Sequence, residues 1–558
     1  MGKYTIGLDY GTLSVRALLL DIESGEEIAT DVFEYPHRVM ETQLPTGKRL
    51  PTGWALQHPL DYLKGLETVV KEVLRKGKIQ PEDVLGIGVD FTASTVLPVK
   101  ADQTPLCCLP EFENEPHAYV KLWKHHGAEE DMITINKIAE ERGKKWLPLY
   151  GGKLSSEWMI PKLLETVRFA PEVYQKADRF MEALDWIIWT LTGKETRSAC
   201  GAGYKACYHH QAGYPSKDFF KALHPMLENV VEEKLSAPIK AVGETAGYLT
   251  ESMAKTLGLL PGTPVATGII DAHAAVLGSG IHQPETMMII VGTSACHLIL
   301  SETEVGIKGV SGVVKDGILP GFFAYEAGQC CVGDHFAWFT HHCVPERYEA
   351  EARQQGISIH ELLVDKLKDH KAGQSGLLAL DWFNGVRSPL MDHHLNGMIL
   401  GMNLQTKPEE IYLALIEATA YGTRMIIELF EHAGVRVDSI VLGGGIPLKN
   451  KMLVQVYADI CNRTIRISGS RNASARGAAI LGAVAAPSEI SGFSTAQNAV
   501  EQLGKRSEKL YRPHPDNAAI YNKLYEEYKT LHQYFSNGTN NVMKRLHSIR
   551  RMQNRNDY

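Results

Sequence analysis

The sequence predicts an α/β protein of two large domains, each built on the same βββαβα core. Three observations carry that prediction. The chain has 558 residues, more than one hydrophobic core accommodates. Near its start, Ile6-Gly-Leu-Asp-Tyr-Gly-Thr-Leu-Ser-Val-Arg16 reads as strand, tight turn, strand. Near its middle, Ile289-Ile-Val-Gly-Thr-Ser-Ala-Cys-His-Leu-Ile-Leu300 repeats that theme. Two hairpins of one kind, each opening a half of the chain, point to duplication more specifically than either does alone.

Composition narrows the class. Apolar content of 44% and charged content of 22% are those of a soluble globular protein. Net charge is −7 with a pI near 6.4, so no global basic field recruits nucleic acid. No apolar run approaches the ~20 residues of a membrane helix. A strand begins within five residues of the N-terminus, which leaves no room for a signal peptide. The nine cysteines include no C-x-x-C pair, and Cys107-Cys108 and Cys330-Cys331 are adjacent. A reduced, cytoplasmic setting is expected. The N-x-[ST] matches at Asn462, Asn472 and Asn537 are then chance.

In the first hairpin, Ile6 and Leu8 share one side of a strand, and Val15, Ala17 and Leu19 one side of the next. Gly11 and Thr12 make the turn, where glycine permits positive φ and close backbone approach. Asp9 ends the strand just ahead of Gly11 and two hydroxyls. Turn N–H groups can cradle phosphate oxygens, and the carboxylate can hold hydrated Mg²⁺. The plain alternative is an ordinary hairpin with an exposed aspartate. A third strand reaches Val32, and a polar, Pro-rich segment follows to Pro59. Asp61 is expected to cap a helix to about Lys76, with Leu63, Leu66, Val69, Val70, Val73 and Leu74 at helical spacing. A strand from Val84 to Val89 ends in Asp90-Phe-Thr-Ala-Ser-Thr95, small and polar residues that suit a ligand crevice.

Ala202-Gly-Tyr-Lys-Ala206 reads as a Gly-rich loop, from which Lys205 reaches a substrate hydroxyl or faces water. The stretch from Val265 to Gly280 is an apolar strand and a small-residue helix, with Asp271 at the junction. That carboxylate either points into a cleft or caps the helix, and the small residues call for close packing. Glu326-Ala-Gly-Gln329 follows a strand near residues 322–325, and a later loop carries Arg387-Ser-Pro389. A long helix runs from Lys407 or Pro408 to about His432, with Ile411, Leu415, Ala418, Gly422, Met425, Ile426 and Leu429 as its buried stripe. The strand from Ser439 to Leu442 enters Gly443-Gly444-Gly445, against which a flat ring can lie. A small-residue helix at 475–486 is expected to pack beneath that turn. The rest is helical, and its basic end from Lys544 to Arg555 reads as a solvated helix end or tail. These breaks divide the chain into residues 1–280, 285–490 and 491–558. The paired histidines at 125/126, 209/210, 341/342 and 393/394 lack H-E-x-x-H spacing, so no metal cage is expected there. Neither G-x-S-x-G nor a Walker A motif is present.

Taken together, the stretches from about residue 4 to 535 resemble the FGGY family of carbohydrate kinases, within the actin, sugar kinase and heat-shock ATPase superfamily. The specific markers are Tyr35-Pro-His37, Trp54-Ala-Leu-Gln-His-Pro59, Val89-Asp-Phe-Thr-Ala-Ser94, Tyr119-Val-Lys-Leu-Trp-Lys-His-His126, Glu326-Ala-Gly-Gln329, Lys449-Asn450 and Val456-Tyr-Ala-Asp459. They match the branch that phosphorylates L-ribulose. The resemblance implies two ribonuclease-H-like domains around a central cleft, with the sugar mainly on the first and ATP on the second. It implies transfer from Mg²⁺-ATP to the 5-hydroxyl of L-ribulose, in L-arabinose catabolism. By motif, Asp271 resembles the general base, and Ala93, Lys205, Asp271 and Glu326 match sugar contacts. Asp9 resembles the metal-coordinating acid, Gly11-Thr12 and Gly292-Thr293 the phosphate hairpins, and Gly443-Gly444-Gly445 with Asn450 the adenosine site. A cytoplasmic homodimer without nucleic-acid or membrane partners is the family expectation. Three residues after Asp459, where the family often has glycine, stands Asn462, which tolerates a left-handed backbone. The rival readings are a kinase for D-ribulose or xylulose, a nucleotide-driven switch or filament on the same fold, and a non-catalytic sugar sensor.

Overall fold

A computed structural model describes residues 2–536 and 538–554. The Asn537 match and the Arg555 end of the basic segment lie outside the described residues.

Strands β1 (Tyr4–Tyr10), β2 (Ser14–Asp21) and β3 (Glu27–Glu34) form an antiparallel meander. Helix α1 (Pro59–Gly77) crosses back and sets β4 (Val84–Phe91) parallel beside β1. A long insertion follows, holding α2 (Met159–Phe169), α3 (Ala199–Ala206) and a small sheet with its own apolar core. The chain returns as β5 (Thr245–Tyr248), β6 (Pro264–Ala266) and β7 (Ile269–Ile270). The order is β5-β6-β4-β1-β2-β3, with β7 also on β4. Helix α4 (Asp271–Gly278) leads into the second half.

There the pattern recurs. Strands β8 (Thr286–Val291), β9 (Ala295–Ser301), β10 (Gly312–Lys315) and β11 (Phe323–Gln329) are antiparallel. Helices α5 (Gly333–His342) and α6 (Pro408–His432) follow, then β12 (Ser439–Gly443), parallel to β8. Helix α7 (Lys451–Cys461) leads to β13 (Thr464–Ile467), parallel to β12. The order is β10-β11-β9-β8-β12-β13. The meander, crossover and parallel return of the first half are thus repeated, as the paired hairpins predicted.

Helix α8 (Ala473–Ala485) belongs to the second half of the chain but packs on the first sheet and against α4, not beneath the Gly443–Gly445 turn. Its small residues allow contact at backbone distance. A Cβ on Gly7 would lie 1.9 Å from the Ala475 carbonyl oxygen, and one on Gly88 1.8 Å from that of Ala478. Gly278 of α4 and Gly477 of α8 face each other's backbones at 1.9 Å by the same measure, through Ala473 and Ala274. An apolar layer containing Leu18 and Leu20 of β2, Met288 and Leu298 of the second sheet, and both helices joins the two halves.

Four local expectations change. His58, not Asp61, caps α1: its ring accepts from the Leu60 N–H at 3.3 Å, and Pro59 opens the helix. Asp61 instead accepts from the His37 backbone N–H at 3.0 Å. Residues 202–206 are helical within α3, which the Ser198 hydroxyl caps. Glycine costs a helix about 1 kcal/mol relative to alanine. Here it is needed, because a Cβ on Gly203 would meet Val314 Cγ1 of β10 at 2.4 Å. Glu326 lies inside β11 rather than after it. Helix α6 buries every residue from 412 to 423, not one stripe, because the second sheet covers one side and α7 and the C-terminal helices the other.

Helix α9 (Pro515–Ser536) docks on this assembly through Tyr521, Tyr525 and Tyr528, spaced to share a face. They donate to the buried or half-buried acids Glu417, Glu428 and Asp381 at 3.0, 2.8 and 3.0 Å. Helix α10 (Val542–Asn554) carries the described part of the basic segment, and its Lys544 pairs with Asp392 at 2.7 Å. No helix among the described residues is long and apolar enough to cross a membrane.

Candidate active site

The expected site residues gather where the carboxyl ends of β1, β4, β8 and β12 meet the space between the sheets, the place where α/β sheets bind ligands. Parallel pairing sets Leu8, Asp9 and Tyr10 of β1 beside Val89, Asp90 and Phe91 of β4. The Tyr10 and Phe91 rings stack at 4.7 Å, and the two aspartates are lateral neighbours. Burial raises the Asp9 carboxyl, with Asp90 and Arg16 acting against it. Arg16 Nε stands 3.9 Å from Asp9 Oδ2. Both Asp90 oxygens are buried with no donor other than a hydrogen bond shared with the Asp9 carboxyl, and burial, Asp9 and Asp271 push the Asp90 carboxyl well above the usual range. Two buried carboxyls side by side, with no cationic partner closer than Arg16, are a donor set that suits a hard divalent cation. Asp9 and Asp90 would hold Mg²⁺. Sequence reasoning gave Asp90 no role; the signal was the repeat of apolar, Asp, aromatic in Leu8-Asp9-Tyr10 and Val89-Asp90-Phe91.

Strand β7 pairs with β4 at Asp90 and Phe91, and so delivers Asp271, the first residue of α4, to the same place. Asp271 Oδ1 accepts from the Ala272 N–H at 2.7 Å. Burial and Asp9 push its carboxyl up to about 7. Asp271 also interacts with Glu326, and with Lys205, which favours its ionised form.

Lys205 of α3 donates to both Glu326 oxygens at 3.1 and 3.0 Å. It lies 5.6 Å above the Trp158 ring. His273 Nε2 stands 3.1 Å from Glu326 Oε2, and its Nδ1 3.1 Å from Cys200 Sγ. Burial alone would raise the Glu326 carboxyl; Lys205 and His273 hold it well below the usual carboxylate range. Glu326 belongs to the second half and its two partners to the first, so this group closes the cleft on one side. Ala93 sits in the turn after β4, where Ser94 has φ of +55° and the Thr95 N–H donates to Glu182 at 2.8 Å.

Neither Gly11 nor Gly292 has positive φ, contrary to expectation. A Cβ on Gly11 would come no nearer than 3.4 Å to the Ser14 oxygen, and one on Gly292 no nearer than 3.9 Å to the Ser294 oxygen. The fold does not fill these positions, but each glycine N–H is spent inside its own hairpin, Gly11 on the Ser14 carbonyl and Gly292 on the Ser294 carbonyl, both at 2.9 Å. What the glycines leave open is close approach of a ligand to the turns. The Gly292 and Thr293 carbonyls accept from Gly333 and Val332 at 2.9 Å, at the start of α5. Beside β8, the Gly443–Gly445 turn does use positive φ, at Gly444 (+93°), where a Cβ would meet the Val291 oxygen at 2.3 Å. Gly445 faces open space. Asn450 caps α7, its side-chain oxygen accepting from the Leu453 N–H at 3.0 Å, so its amide N–H₂ is what it offers a ligand.

Two more polar groups, given no role by the sequence reading, face the cleft. His273 is one. Arg387 is the other: Ser388 and Gly328 exchange hydrogen bonds, which lays the Arg387 side chain over Gly328, two residues beyond Glu326 on the same face of β11. Elsewhere, His37, His58 and Asp61, and His209, His210 and Glu304, bring ligating atoms within 4.8 Å. In both groups one ring is committed otherwise. His58 Nδ1 accepts from Leu60, and His209 Nδ1 from Gln211 and Ala212, which leaves the proton on Nε2.

Family models agree with this geometry across the chain. The N-terminal domain of the FGGY family of carbohydrate kinases matches residues 4–278, and its C-terminal domain residues 287–486. The chain belongs to the FGGY family of carbohydrate kinases. It is similar to a ribulokinase of Bacillus licheniformis, 53% identical over 97% of this chain and 98% of that one. A ribulokinase of Halalkalibacterium halodurans is 49% identical over 99% and 98%. Among solved structures, a xylulose kinase of Rhodospirillum rubrum superposes with a TM-score of 0.76 at 20% identity, over 96% of this chain and 99% of that one. A Plasmodium falciparum glycerol kinase with ADP gives 0.74 at 17%, over 95% and 98%. These likenesses establish the two-domain sugar-kinase fold. This FGGY member is a carbohydrate kinase, an enzyme that transfers phosphate from ATP.

Proposed function

We propose that this kinase phosphorylates L-ribulose at its 5-hydroxyl, giving L-ribulose 5-phosphate and ADP. The sugar is held mainly by residues 1–280 and ATP by residues 285–490, with 491–558 as a helical extension. The observation that carries the reading is Asp271, a carboxylate that faces both the Lys205–Glu326 pair and the Asp9–Asp90 pair. Near-full-length identity of about half to proteins called ribulokinases supports the substrate class.

Phosphoryl transfer asks the protein for position and charge more than for covalent chemistry. Lys205, Glu326 and the backbone at Ala93 orient the sugar hydroxyls. Asp271 accepts the proton of the primary hydroxyl as its oxygen bonds to the γ-phosphorus and the bond to the β-phosphate oxygen breaks. A carboxyl raised to about 7 is basic enough for that work, and Lys205 favours its ionised form. The Gly11-Thr12 and Gly292-Thr293 turns hold phosphate oxygens, and Gly443–Gly445 with Asn450 receives the adenosine. Asp9 and Asp90 would hold Mg²⁺, which would supply charge neutralisation at the phosphates. A cytoplasmic homodimer completes the reading on the family pattern, and sedimentation velocity tests the dimer.

The deciding experiment is coupled ADP release with Mg²⁺-ATP across the four 2-ketopentoses, glycerol and no sugar. A clear kcat/KM preference for L-ribulose is expected; indifference to every sugar overturns the reading. In the same assay Asp271→Asn keeps its fold and its ATP affinity but loses at least ~10²-fold in kcat, the usual cost of a missing general base.

A further inference from the structure

The markers Trp54-Ala-Leu-Gln-His-Pro59 and Tyr119-Val-Lys-Leu-Trp-Lys-His-His126 have no role in the chemistry described so far. In the structure both converge on Thr12. The Trp123 indole N–H donates to Thr12 Oγ1 at 3.1 Å. Gln57 Nε2 donates to the Thr12 carbonyl at 2.7 Å, and Gln57 Oε1 accepts from the Tyr62 hydroxyl, also at 2.7 Å. Gln57 is buried, and with both ends engaged its amide has one orientation.

The bond from Trp123 has a chemical consequence. An indole N–H can only donate, so it occupies an acceptor position of the Thr12 hydroxyl. The hydroxyl proton must then point elsewhere. Among the described residues no protein acceptor takes it. The Thr12 carbonyl is already held by Gln57 and faces away from that duty. What remains for the proton is an acceptor arriving in the cleft, beside the Gly11-Thr12 turn.

The segment carrying Trp123 is itself held from the sugar side. The buried Lys162 ammonium of α2 donates to the Ser94 carbonyl at 2.5 Å and to the Leu122 carbonyl at 2.9 Å. Lys121 is fixed by Glu165 at 2.6 Å and Thr166 at 2.7 Å. One ammonium thus joins the turn at Ala93 and Ser94 to the residue preceding Trp123.

Resting on the function proposed above, we infer that Trp123 is a positioning residue: it turns the Thr12 hydroxyl into a dedicated donor to nucleotide phosphate, and through residues 121–122 and Lys162 it ties that donor to the sugar turn. Occupancy of the sugar turn and phosphate capture are therefore coupled.

The test is a cycle of Trp123→Phe, which removes the N–H but keeps a ring, with Thr12→Val and Thr12→Ser. Binding of Mg²⁺ and a non-hydrolysable ATP analogue is followed by calorimetry, and kcat and both KM values by ADP release. Trp123→Phe should weaken analogue binding and lower kcat by about 5- to 10-fold, the worth of one hydrogen bond to a reacting group, with an unchanged melting temperature. It should do the same in Thr12→Ser and nothing further in Thr12→Val. It should also reduce the dependence of the ATP KM on sugar concentration. Additive losses in the Thr12→Val background, or wild-type behaviour of Trp123→Phe, overturn the inference. Loss of the ring's packing against sugar would raise the sugar KM regardless of Thr12, and that result overturns it too. Wild-type enzyme that releases ADP without regard to sugar overturns the proposed function instead, while the binding cycle still reads the Trp123–Thr12 bond.

Discussion

Asp90 and Glu417 show how burial alone gives a carboxyl two different meanings. Asp90 shares its hydrogen bond with a second carboxyl, Asp9, beside it in the cleft, and both that bond and the Asp9 charge raise the cost of ionising Asp90. Glu417 lies inside the second domain, where it accepts from Tyr521 at 3.0 Å, and burial pushes it up to about 8. Its unfolded value is about 4.3. A raised carboxyl is fully compatible with the fold below pH ~4.3, and the unfolded state is progressively favoured as pH rises toward 8. Glu417→Gln keeps the volume and an acceptor for Tyr521 but does not titrate. Its melting temperature should pull ahead of the parent's between pH 5 and 8.5; a gap independent of pH would show that Glu417 is not held neutral.

Elements are placed here by what their backbones can approach. Helix α8 lies on β1 and β4 because Gly7, Gly86 and Gly88 offer it no side chains. At Gly88 a Cβ would fall 1.8 Å from a helix carbonyl that cannot rotate away. Gly88→Ala should therefore cost about 3 kcal/mol, the upper end of overpacking penalties, read by urea unfolding. Because β4 carries Asp90 and α8 packs on α4, which begins at Asp271, the same variant should lower kcat more than Gly434→Ala, a surface change whose strain, from φ of +85°, stays in its own turn because its Cβ meets nothing within 4 Å. The tyrosine ladder of α9 is placed by a different rule, each hydroxyl answering an acid already buried in the second domain.

At the scale of the molecule, the two halves meet through an apolar layer and several polar links, among them Glu27 with Arg476, His209 with Glu304, and the group around Glu326. Lys205 and His273 reach across to Glu326. Glu326→Gln preserves shape but leaves the Lys205 ammonium buried without a carboxylate. Breaking a buried pair by removing one partner costs about 3–5 kcal/mol. On the proposed function the pair also orients sugar hydroxyls, so the sugar KM should rise at least tenfold (about 1.4 kcal/mol) while the ATP KM changes little. An equal rise in both would mean that Glu326 acts only by holding the domains together.

The duplicated hairpins, the long helix from Pro408 to His432, the Gly-rich turn after β12 and Asp271 at its strand–helix junction were legible in the chain, because each depends on local periodicity and turn chemistry. Asn462 was legible for the same reason: it ends α7 with φ of +50°, as an asparagine can. The helix at Ala199–Ala206 was not, because its glycines disfavour it locally and only the approach of Val314 explains them. Nor were the roles of Asp90, Arg387 and Trp123, since each is defined by a neighbour distant in sequence: Asp9, Gly328 and Thr12 respectively. The sequence by itself determined the two-domain kinase architecture and the residue types that meet in its cleft. Only the tertiary structure decided which of them share a charge, because pKa, orientation and pairing depend on distances that sheet register and the α4–α8 contact impose.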